Sequence, residues 1–160
     1  MHKLIIRPVV ETDLDGLNEL FNQIDRFHAA AHPERFREAP GGQARPREYF
    51  LELIHDPDAS FFVAEQAAEL QGFVHVIIQQ TPDLSIIVPR LVAKVDNLGV
   101  REGQRGKGIG RTLMEHAEHW EKEKGAVDIE LNVYEFNMYA QRLYQRMGYQ
   151  VLSKRMGKRM

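Results

Sequence analysis

The sequence predicts an α/β fold in which a twisted mixed sheet of about six or seven strands carries helices on both faces. Three observations support this. Apolar residues recur at helical spacing in some segments and alternate, or form short β-rich runs, in others. The segments read β-α-α-β-β-β-α-β-α-β, and the alternating second half is the pattern of parallel pairing covered by helices. One strand runs into a glycine-rich turn and then a helix, Val95 to Leu113, VDNLGVREGQRGKGIGRTL. The 160 residues suit a single domain over 1–160 with its own core.

Lys3 to Val10 is short and β-leaning, with Pro8 placed for an edge or strand end. Thr12 reads as an N-cap with Asp13 and Asp15 in an acidic first turn. Leu14, Leu17, Phe21, Ile24 and His28 then keep helical spacing until Pro33 forbids more. From Ala31 to Pro46 the composition turns to Pro, Gly, Arg and Glu, a loop with room for a helical turn near Glu34 to Arg37. Arg47 to His55 fits a second helix, with Phe50, Leu51 and Ile54 inward. Asp56-Pro57-Asp58 is a turn.

Ser60 to Glu65 and Gln71 to Gln80 read as an antiparallel hairpin. Pro89 argues against a central strand at Ile86 to Arg90, and Leu91 to Val100 is the next strand. Gly99, one residue from its end, marks a bulge or a close backbone approach. The helix from about Gly108 to Lys124 presents Ile109, Leu113, Ala117 and Trp120 on one face, and Gly125 ends it. Val127 to Val133 alternates as a strand. Asn137 can cap a last helix with Ala140, Leu143, Tyr144 and Met147 on its apolar side, and Tyr149 to Lys158 reads as a final strand with a basic tail.

Composition removes several classes. A formal charge of −2 and a pI of about 6.4 give no global basic field for nucleic acid. Without cysteine there is no disulfide frame, cysteine zinc site or thiol nucleophile. No apolar run approaches the ~20 residues of a membrane span, and the N-terminus lacks the apolar core of a signal peptide, so a cytoplasmic enzyme is expected. His116 and His119 lie one helical turn apart near Glu115, but they do not form the H-E-x-x-H pattern and have no third ligand, so no metal is expected.

The glycine turn is built to hold an anion. Free N–H groups at a helix start and the helix dipole favour negative charge, and glycines admit a ligand close to the backbone. The Walker pattern fails because Gly106-Lys107 is followed by Gly108 and Arg101 stands where its first Gly belongs. The dinucleotide pattern fails at Arg111. An ATP-binding regulator is disfavoured accordingly. What remains is Arg105-x-x-Gly108-x-Gly110, in a segment made locally basic by Arg101, Arg105, Lys107 and Arg111.

That motif resembles the acetyl-coenzyme A signature of the GNAT (GCN5-related) N-acetyltransferases, R/Q-x-x-G-x-G/A. Downstream, Asn137-x-x-Ala140-x-x-Leu143-Tyr144-x-x-Met147-Gly148-Tyr149 resembles the family's second segment, and the element order matches over nearly the whole chain. The resemblance implies acetyl-coenzyme A as cosubstrate. Its pantetheine arm would lie along the strand end Leu98, Gly99 and Val100, with a bulge at Gly99 driving the fourth and fifth strands apart. The pyrophosphate would sit on the backbone of Arg105, Gly106, Lys107, Gly108, Ile109, Gly110 and Arg111. Asn137 would hold the arm, and Tyr144 would protonate the leaving thiolate. Read from the residues alone, a tyrosine on an apolar helix face such as Tyr144 is more often a core residue with a satisfied hydroxyl.

Direct attack needs a neutral amine, and a carboxylate can take its proton. Asp96, placed by strict alternation on one face with Leu98 and Val100, is the leading base, with Glu65 second. Some family members carry Glu two residues earlier, where this chain has Lys94. The expected reaction is acetyl transfer to a primary amine, with a small molecule ahead of a protein N-terminal or lysine amine. A catalytically silent acyl-coenzyme A sensor is the rival from another class. His28 and His32 lie where the family often builds its acceptor pocket, and homodimers are common in it.

Overall fold

The computed structural model describes residues 2–160. Five strands form one sheet in sequence order: β1 (Ile5–Pro8), β2 (Ala59–Gln66), β3 (Glu69–Gln80), β4 (Leu91–Val100) and β5 (Asp128–Leu131). The pairs from β1 to β4 are antiparallel, and β4 pairs with β5 in parallel. Four α-helices cover it: α1 (Leu14–Ala31), α2 (Arg47–His55), α3 (Ile109–Glu123) and α4 (Met138–Arg146).

The two faces bury separate cores. On one, Phe21 of α1 and Phe50 of α2 pack with Phe73 and Val63, and the Phe21 and Phe73 rings stack at 4.5 Å. On the other, Ile109, Leu113, Met114 and Ala117 of α3 and Tyr144 of α4 cover Val74, Val76, Ala93 and Val95. Each large apolar side chain so buried contributes about 1.5–3 kcal/mol.

The first helix starts differently from the expected Thr12 cap. A 3-10 turn, Glu11–Asp13, leads into α1, and Asp13 does the work at the junction. Its Oδ2 accepts from the Val10 N–H at 2.9 Å, and its two oxygens take Arg7 at 2.7 and 2.8 Å. Burial would raise the Asp13 carboxyl, but the Arg7 bonds and the Val10 N–H outweigh it and hold it low.

The expected last strand does not form. Residues 149–160 join no ladder, and Val151, Leu152 and Met156 are exposed. Val151 and Leu152 are adjacent rather than alternating, and four of the eight residues after them are Lys or Arg, so the segment offers no continuous apolar face to bury. The outer edge of β5 is therefore the sheet's boundary. Between it and the start of this segment runs a groove of about 670 Å³.

The expected bulge at Gly99 also moves. His75 pairs with Asn97 and Val76 with Val95, so the extra residue is Asp96. Gly99 has a different reason to be glycine: a Cβ there would lie 2.3 Å from Ile24 Cδ1 and 2.8 Å from Phe73 Cε1.

Candidate active site

Two features of β4 build the site. The first is where its parallel partner leaves. Pairing runs from Val92 with Asp128 to Val95 with Leu131 and stops. From Asp96 to Val100 the strand keeps β3 on one side and has no strand on the other. The open edge, which includes Leu98, Gly99 and Val100, leads into the glycine turn.

The second feature is the bulge. Two neighbouring residues, Asp96 and Asn97, oppose one on β3, so alternation slips by one. Ala93 and Val95 face α3, as do Leu98 and Val100. Asp96 turns to the other face, where its Oδ2 lies 3.6 Å from Nδ1 of His75, whose ring packs edge-on against Phe61. The expectation that Asp96 shares a face with Leu98 and Val100 is thus corrected: strict alternation assumed an unbroken strand.

The turn has the form of an anion cradle. Gly103, Gly106 and Gly108 adopt positive φ, and Gly108 at +85° is the residue before α3. The Gly108 carbonyl accepts from the Thr112 N–H at 3.0 Å, which leaves the N–H groups of Ile109, Gly110 and Arg111 without intrahelical acceptors. Gly110 is a packing glycine: its Cβ would sit 3.2 Å from Leu143 Cδ2 and 3.5 Å from Val100 Cγ2. The Gly106 N–H donates to the Tyr139 hydroxyl, a tie between the turn and α4 that no pattern announced.

The basic residues divide. Arg101 is spent on structure: it is nearly buried, and it donates to the Leu70 carbonyl and to Glu19. Arg111 pairs with Glu115 one turn on. Among the described residues Lys107 reaches only Gln104, and the Arg105 guanidinium lies over the Phe27 ring at 5.2 Å. Arg105 and Lys107 are the cations left at the cradle.

On α4, Asn137 Oδ1 caps the helix by accepting from the Ala140 N–H at 3.1 Å. Tyr144 is buried among apolar side chains, and burial pushes its hydroxyl up to about 12, so it stays protonated through neutral pH. Among the described residues that hydroxyl has no hydrogen-bond partner, and its ring meets Tyr149 at 5.7 Å. A purely structural core tyrosine would have its hydroxyl bonded.

Around Asp96 the other face supplies polar neighbours. Asn97 Nδ2 donates to Asp96 Oδ2 at 3.2 Å. His75 is fully buried with both ring nitrogens unpartnered, and burial pushes its imidazole pKa down, against the pull of Asp96. Glu65 is elsewhere: Arg7 holds it at 2.7 Å on β2, two strands from β4. His28 is ringed by Phe27, Phe36, Tyr134 and Phe136 at 5.4 to 5.8 Å, which joins α1 to the loop between β5 and α4. Among the described residues no group of three potential metal ligands occurs, and no helix is long and apolar enough to cross a membrane.

Residues 21–149, which hold the split parallel pair, the glycine turn and Tyr144, match the model of the acetyltransferase (GNAT) family. The chain belongs to that family. The GNAT chain is 39% identical over 95 residues to streptothricin acetyltransferase of Streptomyces lavendulae, a match covering 59% of this chain and 46% of that protein. It is 30% identical to an N-alpha-acetyltransferase of Sulfurisphaera tokodaii, over 90% of this chain and 78% of that one. A putative ribosomal protein bS18 alanine N-acetyltransferase of Bacillus subtilis matches at 29% over 64% of this chain and 61% of its own length. Several of these relatives are thus spanned for less than two thirds of their length. A solved structure of a Bacillus halodurans protein, a BH1408 variant, superposes with a TM-score of 0.92 at 24% identity, covering 98% of this GNAT chain and 99% of that one.

Proposed function

We propose that the protein is an acetyl-coenzyme A dependent N-acetyltransferase acting on a primary amine by direct attack. The observation that carries this is the open edge of β4 beyond Val95, continuous with the cradle at Gly108. An extended pantetheine arm has the hydrogen-bonding pattern of a missing strand, and its pyrophosphate would then meet the free N–H groups of Ile109, Gly110 and Arg111. Arg105 and Lys107 add charge there, and the family resemblance would give Asn137, the cap of α4, a part in holding the arm. A structure of the aminoglycoside acetyltransferase AAC(6')-Iy with coenzyme A, whose fold this chain shares at a TM-score of 0.72, supports the cosubstrate.

Asp96 takes a proton from the acceptor ammonium, the freed lone pair attacks the thioester carbonyl carbon, and the nitrogen sheds its surplus proton to solvent as the intermediate collapses to the amide. Open-edge N–H groups of β4 polarise that carbonyl. Tyr144 gives its proton to the sulfur as the carbon–sulfur bond breaks, and solvent restores it. The bulge supports a division of labour: Asp96 lies on the α1/α2 face, whereas Leu98 and Val100 lie on the α3/α4 face.

A small-molecule amine is favoured as acceptor, in line with the streptothricin relative. A peptide N-terminal amine is the second reading, favoured by the N-alpha-acetyltransferase relative. The test is release of coenzyme A thiol across a panel of streptothricin, aminoglycosides, polyamines, amino acids and alanine-terminated peptides. Turnover with one class names the acceptor, whereas coenzyme A binding with no thiol release from any member would instead identify a silent sensor.

A further inference from the structure

We propose that His75 and Asn97 are positioning residues that pin one carboxylate oxygen of Asp96 and leave the other free for the acceptor. This rests on the reading of Asp96 as the base. Both neighbours converge on the same atom. Asn97 Nδ2 donates to Oδ2 at 3.2 Å, and His75 Nδ1 lies 3.6 Å from that same Oδ2. Oδ1 has no partner among the described residues, and the Asp96 side chain is 38% exposed. The carboxylate is therefore anchored at one oxygen and open at the other, as a group that must receive a proton from outside requires.

His75 has no other evident purpose. It is fully buried, and neither ring nitrogen has a hydrogen-bond partner. Such a group costs stability, and an apolar residue would fill the same space without that cost. The Phe61 ring packs edge-on against it and Asn97 lies opposite it on β4, so it cannot swing away from the bulge. The charged groups near it are Asp96 across the ladder and Asp56 from the turn before β2, with Tyr49 and Arg45 beyond Asp96. Among the described residues, His75 and Asn97 are the groups of the sheet placed to donate to Asp96. At 3.6 Å the contact is a few tenths of an ångström too long for a hydrogen bond, a gap that a small turn of the carboxylate closes. The arrangement requires a neutral ring carrying its proton on Nδ1.

Long-range ¹H–¹⁵N spectra of the full chain decide this without any acceptor. The expected result is a neutral His75 with Nδ1 protonated, shifting to the Nε2-protonated form or a mixture in Asp96→Asn. A wild-type His75 protonated on Nε2, or one whose spectrum ignores Asp96→Asn, would overturn the proposal. For any amine in the panel that turns over, His75→Leu should lower kcat about tenfold at unchanged KM for acetyl-coenzyme A, with His75→Gln recovering most of it. Full activity in a folded His75→Leu protein also overturns it. If Asp96→Asn itself leaves kcat intact, the base assignment fails, while the spectrum still reports whether the contact exists.

Discussion

The two faces of the sheet differ in what they are made of. On the α3/α4 face the site is mostly backbone: an open strand edge, three left-handed glycines and a row of helix N–H groups. On the α1/α2 face it is side chain: Asp96, Asn97 and His75 about one bulge, with aromatic rings and histidines beyond. A ligand part that never changes can be held by main chain, and main-chain geometry constrains glycine positions tightly. An acceptor that varies must be read by side chains, which any strand can carry.

That contrast predicts different failures. The largest effect is expected on the side-chain face. Asp96→Asn should lower kcat by about 10²-fold or more, with coenzyme A affinity unchanged by calorimetry. A comparable loss of affinity would mean that the two faces are not separable. Next is the backbone face. Gly108→Ala places a side chain in open space but at φ +85°, a conformation costing about 1 kcal/mol or more for an L residue. Coenzyme A affinity should fall roughly tenfold while kcat at saturation holds. The Gly110 variant is a poorer probe, since its added Cβ would press on Leu143 and perturb packing as well.

Tyr144→Phe tests the point where the faces cooperate. Among the described residues its hydroxyl has no partner to orphan, so the melting temperature should stay put while kcat falls about tenfold or less, because a thiolate is a fair leaving group. A destabilised protein with wild-type kcat would return Tyr144 to the core.

The smallest effect lies away from the candidate site, near the C-terminal end of α3, and serves as a control. Glu121 is buried beside Glu118 in the groove along β5. Burial, with Glu118 adding to it, pushes its carboxyl up to about 8. A raised carboxyl binds its proton more tightly when folded. The contribution is therefore full below about pH 4.5, the unfolded value, and is lost as pH climbs towards 8. The wild-type melting temperature should decline across that window, by the order of a few kcal/mol in stability, and Glu121→Gln should flatten the curve. Activity at fixed pH should not follow it.

The same contrast explains what the sequence revealed. The span of α2 (Arg47–His55) and that of β4 (Leu91–Val100) were legible to the residue, because a run of apolar periodicity fixes each. The cradle was legible because positive φ leaves few choices but glycine. The Asp96 bulge was not: its residues carry no glycine or proline signal, and Gly99 drew the inference to a position whose real constraint is contact with Ile24 and Phe73. His75 was hidden inside an apolar strand, and Tyr139 inside an exposed helix turn. Only pairing register and fold proximity bring them to the site. The missing last strand shows the opposite error, since Val151 and Leu152 suggested a ladder that the basic residues after them do not sustain.

The bulge makes β4 one residue longer than its sheet requires. Removing Asp96 would bring Asn97 opposite His75 with unbroken pairing on either side, and Val95, Leu98, Gly99 and Val100 would all keep their present faces. The residue assigned the chemistry is thus the one the architecture can spare. A shortened chain lacking only Asp96 is expected to fold and to keep its glycine turn, because the proposed base is inserted into the strand rather than exchanged for part of it.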